Sequence, residues 1–278
     1  RDGTGEVRLV ATDLDGTLLG PEGRIGARTR RALAAARQAG IAVVPVTGRP
    51  PQALWPVIDG AELGPLAVCS NGAVLVDLDG RRVLEVQAIA GEVAVRLIEA
   101  VRQAVPGVLL ATDNLDDFTY EQGFFDGPVE WEERLVEVED IAPTITADCL
   151  KLIGRRPGWT ARQLICALEV CLADEARVTT SGLDWVDIGA LQVTKAWAMD
   201  RVCQRLGIGV HQVVAVGDNH NDLPVLAWAA TAMAPANAIA EVRALASRIL
   251  PSNAEEGVAV LLEELVAGAG APRSAAAG

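Results

Sequence analysis

Two aspartates separated by one leucine, Asp13 and Asp15, follow an apolar run and precede Gly16 and Thr17. Carboxylates this close repel unless a cation or a proton holds them, so the pair needs a reason to exist. One such acid can attack phosphorus and become an acyl phosphate. The other can protonate the leaving oxygen and later activate water. Gly16 permits a tight backbone path, and Thr17 offers a hydroxyl to a phosphate or to a cap. An Asx turn is the plainer explanation of a lone Asp-x-Asp. The attached Asp-Gly-Thr and the apolar run before it favour chemistry.

Three further islands share the theme. Thr47-Gly48-Arg49 follows Val43-Val44-Pro45-Val46, where a hydroxyl and backbone N–H groups at a strand end suit phosphate oxygens. Alone this island reads equally as a cap or turn, and Arg49 reads as a positioning residue or a salt-bridge partner. Lys195 opens a helix-like stretch. A cation is disfavoured at that end of a helix dipole, and a lysine can neutralise both a phosphoryl group and a carboxylate. Only two lysines occur in the chain, Lys151 and Lys195, so each stands out against the arginines that carry the remaining positive charge. Gly217-Asp218-Asn219-His220-Asn221-Asp222 follows Val213 to Val216 and offers hard oxygen ligands suited to Mg²⁺. Asp218 is the first choice as direct ligand. Asp222 either binds through water or orients Lys195, and His220 reads as a loop residue near the site.

These islands require strands that end at one edge. Val7 to Thr12, Ile41 to Val46, Leu66 to Cys69 and Val213 to Val216 read as strands. Ala27 to Gly40, Pro51 to Asp59, Thr194 to Leu206, Leu223 to Ala229 and Glu256 to Ala267 read as helices. That alternation predicts a doubly wound parallel α/β sheet, with ligands beyond the strand ends. Between Arg49 and Lys195 the texture changes. Turn signals at Asn71-Gly72 and Asp79-Gly80 frame a hairpin. Helices are predicted over Glu92 to Val105 and Thr160 to Leu172, with strands at Leu150 to Ile153 and Arg177 to Ile188. This is an α+β insert, expected over residues 79–190, with the core formed by 1–78 and 191–278.

With 278 residues and 50% hydrophobic content, the chain can bury one large core or two small ones. A net charge of -13 argues against a nucleic-acid or anionic-membrane partner, yet leaves room for one cationic pocket. Apolar runs stop well short of the roughly 20 residues of a membrane helix. Arg1 to Gly5 is polar and leads directly to a strand, unlike a secretory signal. The five cysteines are scattered without a CxxC pair, which predicts buried thiols in a reducing cytoplasm. With two histidines, a His-rich zinc site is disfavoured.

In order and spacing, Asp13 to Thr17, Thr47, Lys195 and Gly217 to Asp222 resemble the haloacid dehalogenase superfamily. Ser70-Asn71-Gly72-Ala73, Ala236-Asn237-Ala238 and Ser252 to Ala259 resemble its Cof-type branch. The resemblance implies a Rossmann-like core with an inserted cap of the C2 kind. It implies Asp13 as nucleophile and Asp15 as general acid/base. Mg²⁺ would be held by Asp13, the Asp15 carbonyl and Asp218, with help from Asn221. The expected activity is hydrolysis of a small phosphorylated metabolite, sugar phosphates first, with phosphate held by Thr47, Gly48, Lys195 and Asn221. A sugar phosphomutase and a noncatalytic metabolite-binding protein are the competing expectations. In the cap, Asp113, Asp116, Asp117, Trp131, Lys151, Arg155, Trp159 and Asp187 are candidates for substrate contact, each with an equally ready structural explanation.

Overall fold

A computed structural model describes residues 6–127 and 134–269. Trp131 lies outside the described residues. In chain order, β1 (Leu9–Thr12), α1 (Ala27–Gln38), β2 (Ala42–Pro45), α2 (Pro51–Ile58) and β3 (Leu66–Cys69) build the first half of the core. A hairpin, β4 (Val74–Asp77) and β5 (Arg82–Val86), follows. The insert contains α3 (Gly91–Ala104), β6 (Leu109–Asp113), β7 (Phe118–Glu121), β8 (Leu135–Val138), β9 (Lys151–Arg155), α4 (Ala161–Leu172), β10 (Ala176–Thr179) and β11 (Val186–Ala190). The core resumes with α5 (Lys195–Leu206), β12 (Val213–Val216), α6 (Leu223–Trp228), β13 (Thr231–Pro235), α7 (Ala240–Leu245), β14 (Arg248–Leu250) and α8 (Gly257–Ala269).

The core sheet runs β14-β13-β12-β1-β2, and every pairing is parallel. Successive side chains on a strand face opposite sides, and here both sides are apolar. Val10, Val43 and Val214 pack with Leu33 and Leu262 of α1 and α8. Leu9, Val44 and Val213 pack on the other side with Met199 and Val202 of α5. The sheet is therefore covered by helices on both faces, as the run-type sequences of its strands predict.

The hairpin straddles the expected boundary at residue 79. β5 pairs with β4, and β4 with β3, in a separate three-stranded sheet. Glu85 of β5 ties this edge to Arg201 and Arg205 of α5. The insert is a six-stranded sheet ordered β10-β11-β9-β6-β7-β8, antiparallel except for β7–β8. Leu152, Val186 and Ile188 of this sheet pack against Leu97 of α3 and Leu164 of α4. Lys151, Ile153 and Asp187 alternate with those residues and so project from the opposite face. Among the cysteines, Cys69, Cys149 and Cys203 are buried as expected, but Cys166 and Cys171 are exposed on the outer side of α4. Within the described residues no helix is long and apolar enough to cross a membrane.

Candidate active site

Strands β1, β2, β3 and β12 deliver their following residues to one edge because all run parallel. The junction is tight: the Asp13 backbone N–H donates to the Val216 carbonyl at 2.9 Å, joining the first and last islands. Lys195, the first residue of α5, is buried to 1% exposure and donates to Asp13 Oδ1 at 2.9 Å and Asp222 Oδ1 at 2.6 Å. Burial alone would favour the neutral amine. The two facing carboxylates more than offset it and hold the lysine protonated.

Asp222 uses its second oxygen on its own loop, accepting the N–H groups of Asp218 and Asn219 at 2.9 and 3.0 Å. Its geometry thus serves to orient Lys195 and shape the loop. Asp218 accepts the Thr17 hydroxyl at 2.6 Å, so Thr17 supports a carboxylate here. Burial pushes the Asp218 carboxyl up to about 6. Burial also raises the Asp13 carboxyl well above the usual range, reinforced by Asp222 and opposed by Lys195. Oxygens of Asp13, Asp218 and Asp222 lie within 4.8 Å of one another. Gly16 is required beside them: its φ is +74°, and a Cβ there would sit 2.4 Å from Asp218 Oδ2.

Asp15 points away from this cluster. Arg49 grips its carboxylate in a two-point pair at 2.7 and 2.6 Å, at the mouth of a cavity that both residues line. Arg49 therefore takes the salt-bridge role of its two expected ones. Thr47 is buried, and its hydroxyl oxygen accepts the Arg49 N–H at 3.1 Å. Asn221 donates an amide N–H to Asn71 Oδ1 at 3.0 Å and lines the same cavity as Asp13 and Asp15. His220 stays in the loop, its backbone N–H capped by Asn219.

The Cof-type segments have mechanical roles that sequence alone did not assign. Asn237 donates to the Gly16 carbonyl at 2.8 Å and accepts from the Asn253 N–H at 2.9 Å. Asn253 in turn donates to the Leu19 carbonyl at 2.9 Å, so both segments brace the Asp13–Thr17 turn. Asn71, at φ +56°, donates to Asp187 Oδ2 at 2.9 Å across to the insert.

The insert roofs a cavity of about 480 Å³ over Asp13 and Asp15. Asp113, Lys151 and Asp187, three of the substrate-contact candidates, line it. Phe118, Ile153 and Trp185 also line it and were missed, because apolar residues on alternating strands look like core. Three of the remaining candidates contact other residues of the cap, and Asp116 is exposed. Arg155 pairs with Asp126 and the Phe124 carbonyl, Trp159 lies under the Arg156 guanidinium at 4.3 Å, and Asp117 ties Asn114 and Thr119 in a turn.

A family model described as haloacid dehalogenase-like hydrolase matches residues 10–262. The chain belongs to that family. Among curated haloacid dehalogenase-like relatives, the pyridoxal phosphate phosphatase YbhA of Escherichia coli is 28% identical over 91% of this chain and 96% of its own. The 5-amino-6-(5-phospho-D-ribitylamino)uracil phosphatase YcsE of Bacillus subtilis is 25% identical over 94% and 96%. A solved haloacid dehalogenase-like hydrolase from Bacillus subtilis superposes with a TM-score of 0.82 at 20% identity, covering 93% of this chain and 100% of that one. The fold is therefore the haloacid dehalogenase-like core with an inserted cap.

Proposed function

We propose that this hydrolase is a Mg²⁺-dependent phosphatase that cleaves small phosphorylated metabolites, sugar phosphates first, through an aspartyl phosphate on Asp13. Phosphatase activity on phosphorylated small molecules is the part supported by the relatives' names. The observation that carries the finer reading is Lys195, buried between Asp13 and Asp222 at the parallel strand ends.

The donor set fits a hard divalent cation. Three carboxylates crowd within 4.8 Å around one ammonium, so the cluster holds excess negative charge that a dianionic substrate would increase. Asp13 and Asp218 would hold the ion, with the Asp15 carbonyl, while Asp222 orients Lys195. When bound, the ion supplies positive charge that offsets both the carboxylates and the phosphate.

In the proposed reaction an Asp13 carboxylate oxygen forms a bond to phosphorus as the bond to the leaving oxygen breaks. Once released from Arg49 and protonated, Asp15 donates that proton to the leaving oxygen, then removes a proton from the water that attacks the aspartyl phosphate. Thr47 accepts from Arg49, which leaves its own proton for a phosphate oxygen. Lys195 neutralises the transferring group from beneath. The cap, which we place at residues 87–190 because β5 ends at Val86 and β11 at Ala190, keeps bulk water out.

Phosphate release from para-nitrophenyl phosphate tests the reading directly. Chelation with EDTA is expected to lower the rate by at least about 100-fold, and excess Mg²⁺ to restore it. Undiminished turnover after exhaustive chelation would refute the metal requirement. Thr17→Val removes the hydrogen bond to Asp218, so half-maximal activity should need roughly 10–100-fold more Mg²⁺. An unchanged Mg²⁺ titration would show that Thr17 does not support the ion.

A further inference from the structure

The cap wall that faces the acid cluster carries a charge pattern of its own. Asp113 on β6, Lys151 on β9 and Asp187 on β11 come from three adjacent strands, and all are buried. Lys151 Nζ lies 3.2 Å from Asp187 Oδ1 and 3.6 Å from Asp113 Oδ2, and it donates to the Gly48 carbonyl at 3.1 Å. Its three N–H directions are thus met by acceptors of the protein itself. Among the described residues of this wall, one ammonium faces two carboxylates. Among the described residues that line the cavity, Arg49 is the other cation, and Asp15 grips it at two points. Beside these charges the wall is apolar, with Phe118, Ile153 and Trp185.

We propose that Asp113 and Asp187 set the leaving-group specificity: this enzyme takes phosphomonoesters whose leaving group is neutral or cationic, bears hydroxyl or amine donors, and has one apolar face. The inference rests on the phosphatase reading above and adds to it a rule of exclusion. A carboxylate or second phosphate on the leaving group would enter a buried wall where, among the described residues, two carboxylates face one ammonium that both already engage. Repulsion of like charges in such a place discriminates more strongly than any added attraction. Hydroxyl and amine donors, by contrast, meet carboxylate oxygens, which bind them more strongly than neutral acceptors do. The cavity of about 480 Å³ suits a leaving group of metabolite size.

The test uses pairs that differ in charge but little in size: glucose 6-phosphate with 6-phosphogluconate, and fructose 6-phosphate with fructose 1,6-bisphosphate. Each is measured as a competitor of para-nitrophenyl phosphate hydrolysis by the Mg²⁺-supplemented wild-type enzyme, so that slow turnover does not hide binding. The neutral member of each pair should compete at least about tenfold better. In Asp187→Asn and Asp113→Asn the preference should shrink, read as the ratio of apparent affinities within each pair. A purely structural role would weaken both members alike and leave the ratio intact. Equal competition within the pairs, none by either member, or a ratio unmoved in both variants overturns the inference. If wild-type enzyme releases no phosphate from para-nitrophenyl phosphate or from any of the four esters, the phosphatase reading itself falls, and this rule falls with it.

Discussion

Asp13→Asn is expected to lower phosphate release from para-nitrophenyl phosphate by on the order of 10⁴-fold or more, while the protein melts at the same temperature or higher. An amide is not a nucleophile towards phosphorus, and removing the group that forms the covalent intermediate eliminates the route. The stability half of the expectation follows from burial. Asp13 is 6% exposed, and burial, with Asp222, Asp218 and Asp15 nearby, works against its charged form. Its amide relieves that repulsion, and Lys195 keeps Asp222 as a partner at 2.6 Å. Activity assays beside thermal melts check both halves. A variant that retains wild-type turnover would remove Asp13 from the chemistry.

Lys195→Met should lose both properties. The methionine fills a similar volume but leaves Asp13 and Asp222 facing one another without a cation in a place that is 1% exposed. Breaking a buried pair by deleting one partner costs about 3–5 kcal/mol. For a protein of this size that is on the order of 10 °C in melting temperature. Turnover should fall as well, since the transferring phosphoryl group loses its fixed positive charge, by about 100-fold or more. Excess Mg²⁺ should recover part of the stability and little of the rate. A variant melting like wild type would mean that the carboxylates are held apart by something other than this lysine.

Three of the four islands were legible because each follows its strand within a residue or two, while Lys195 stood out as one of two lysines at the start of α5. A strand that ends at the sheet edge leaves the next side chain nowhere else to go. Thr17 was read as a phosphate or cap donor, and its partner, Asp218, could not be found locally because it lies 201 residues away. Arg49 was left between two roles for the same reason: Asp15 reaches it only once β1 and β2 pair. The cap wall was harder still. Asp113 and Asp187 sit on strands whose alternation gives a facing residue the same signature whether it faces solvent or a cavity. Only the scarcity of lysine pointed at Lys151, and its position in an apolar strand hid its direction. The turn at Asp79-Gly80 reads the same whether its second strand begins an insert or, as β5 does, pairs back onto β4.

The connectivity of β1 also bears on how the molecule is made. This strand lies at the centre of the core sheet, flanked by β2 on one side and β12 on the other. During synthesis β2 emerges soon after it, while the opposite edge waits until Val213–Val216 has been translated. The cap is contiguous in the chain and can close its own sheet in the meantime. An apolar strand edge is therefore left bare for most of the ribosome's transit, a state open to pairing with another nascent chain. Asp13 and Asp218 meet only when β12 zips onto β1, so the acid cluster is among the last parts of the protein to exist.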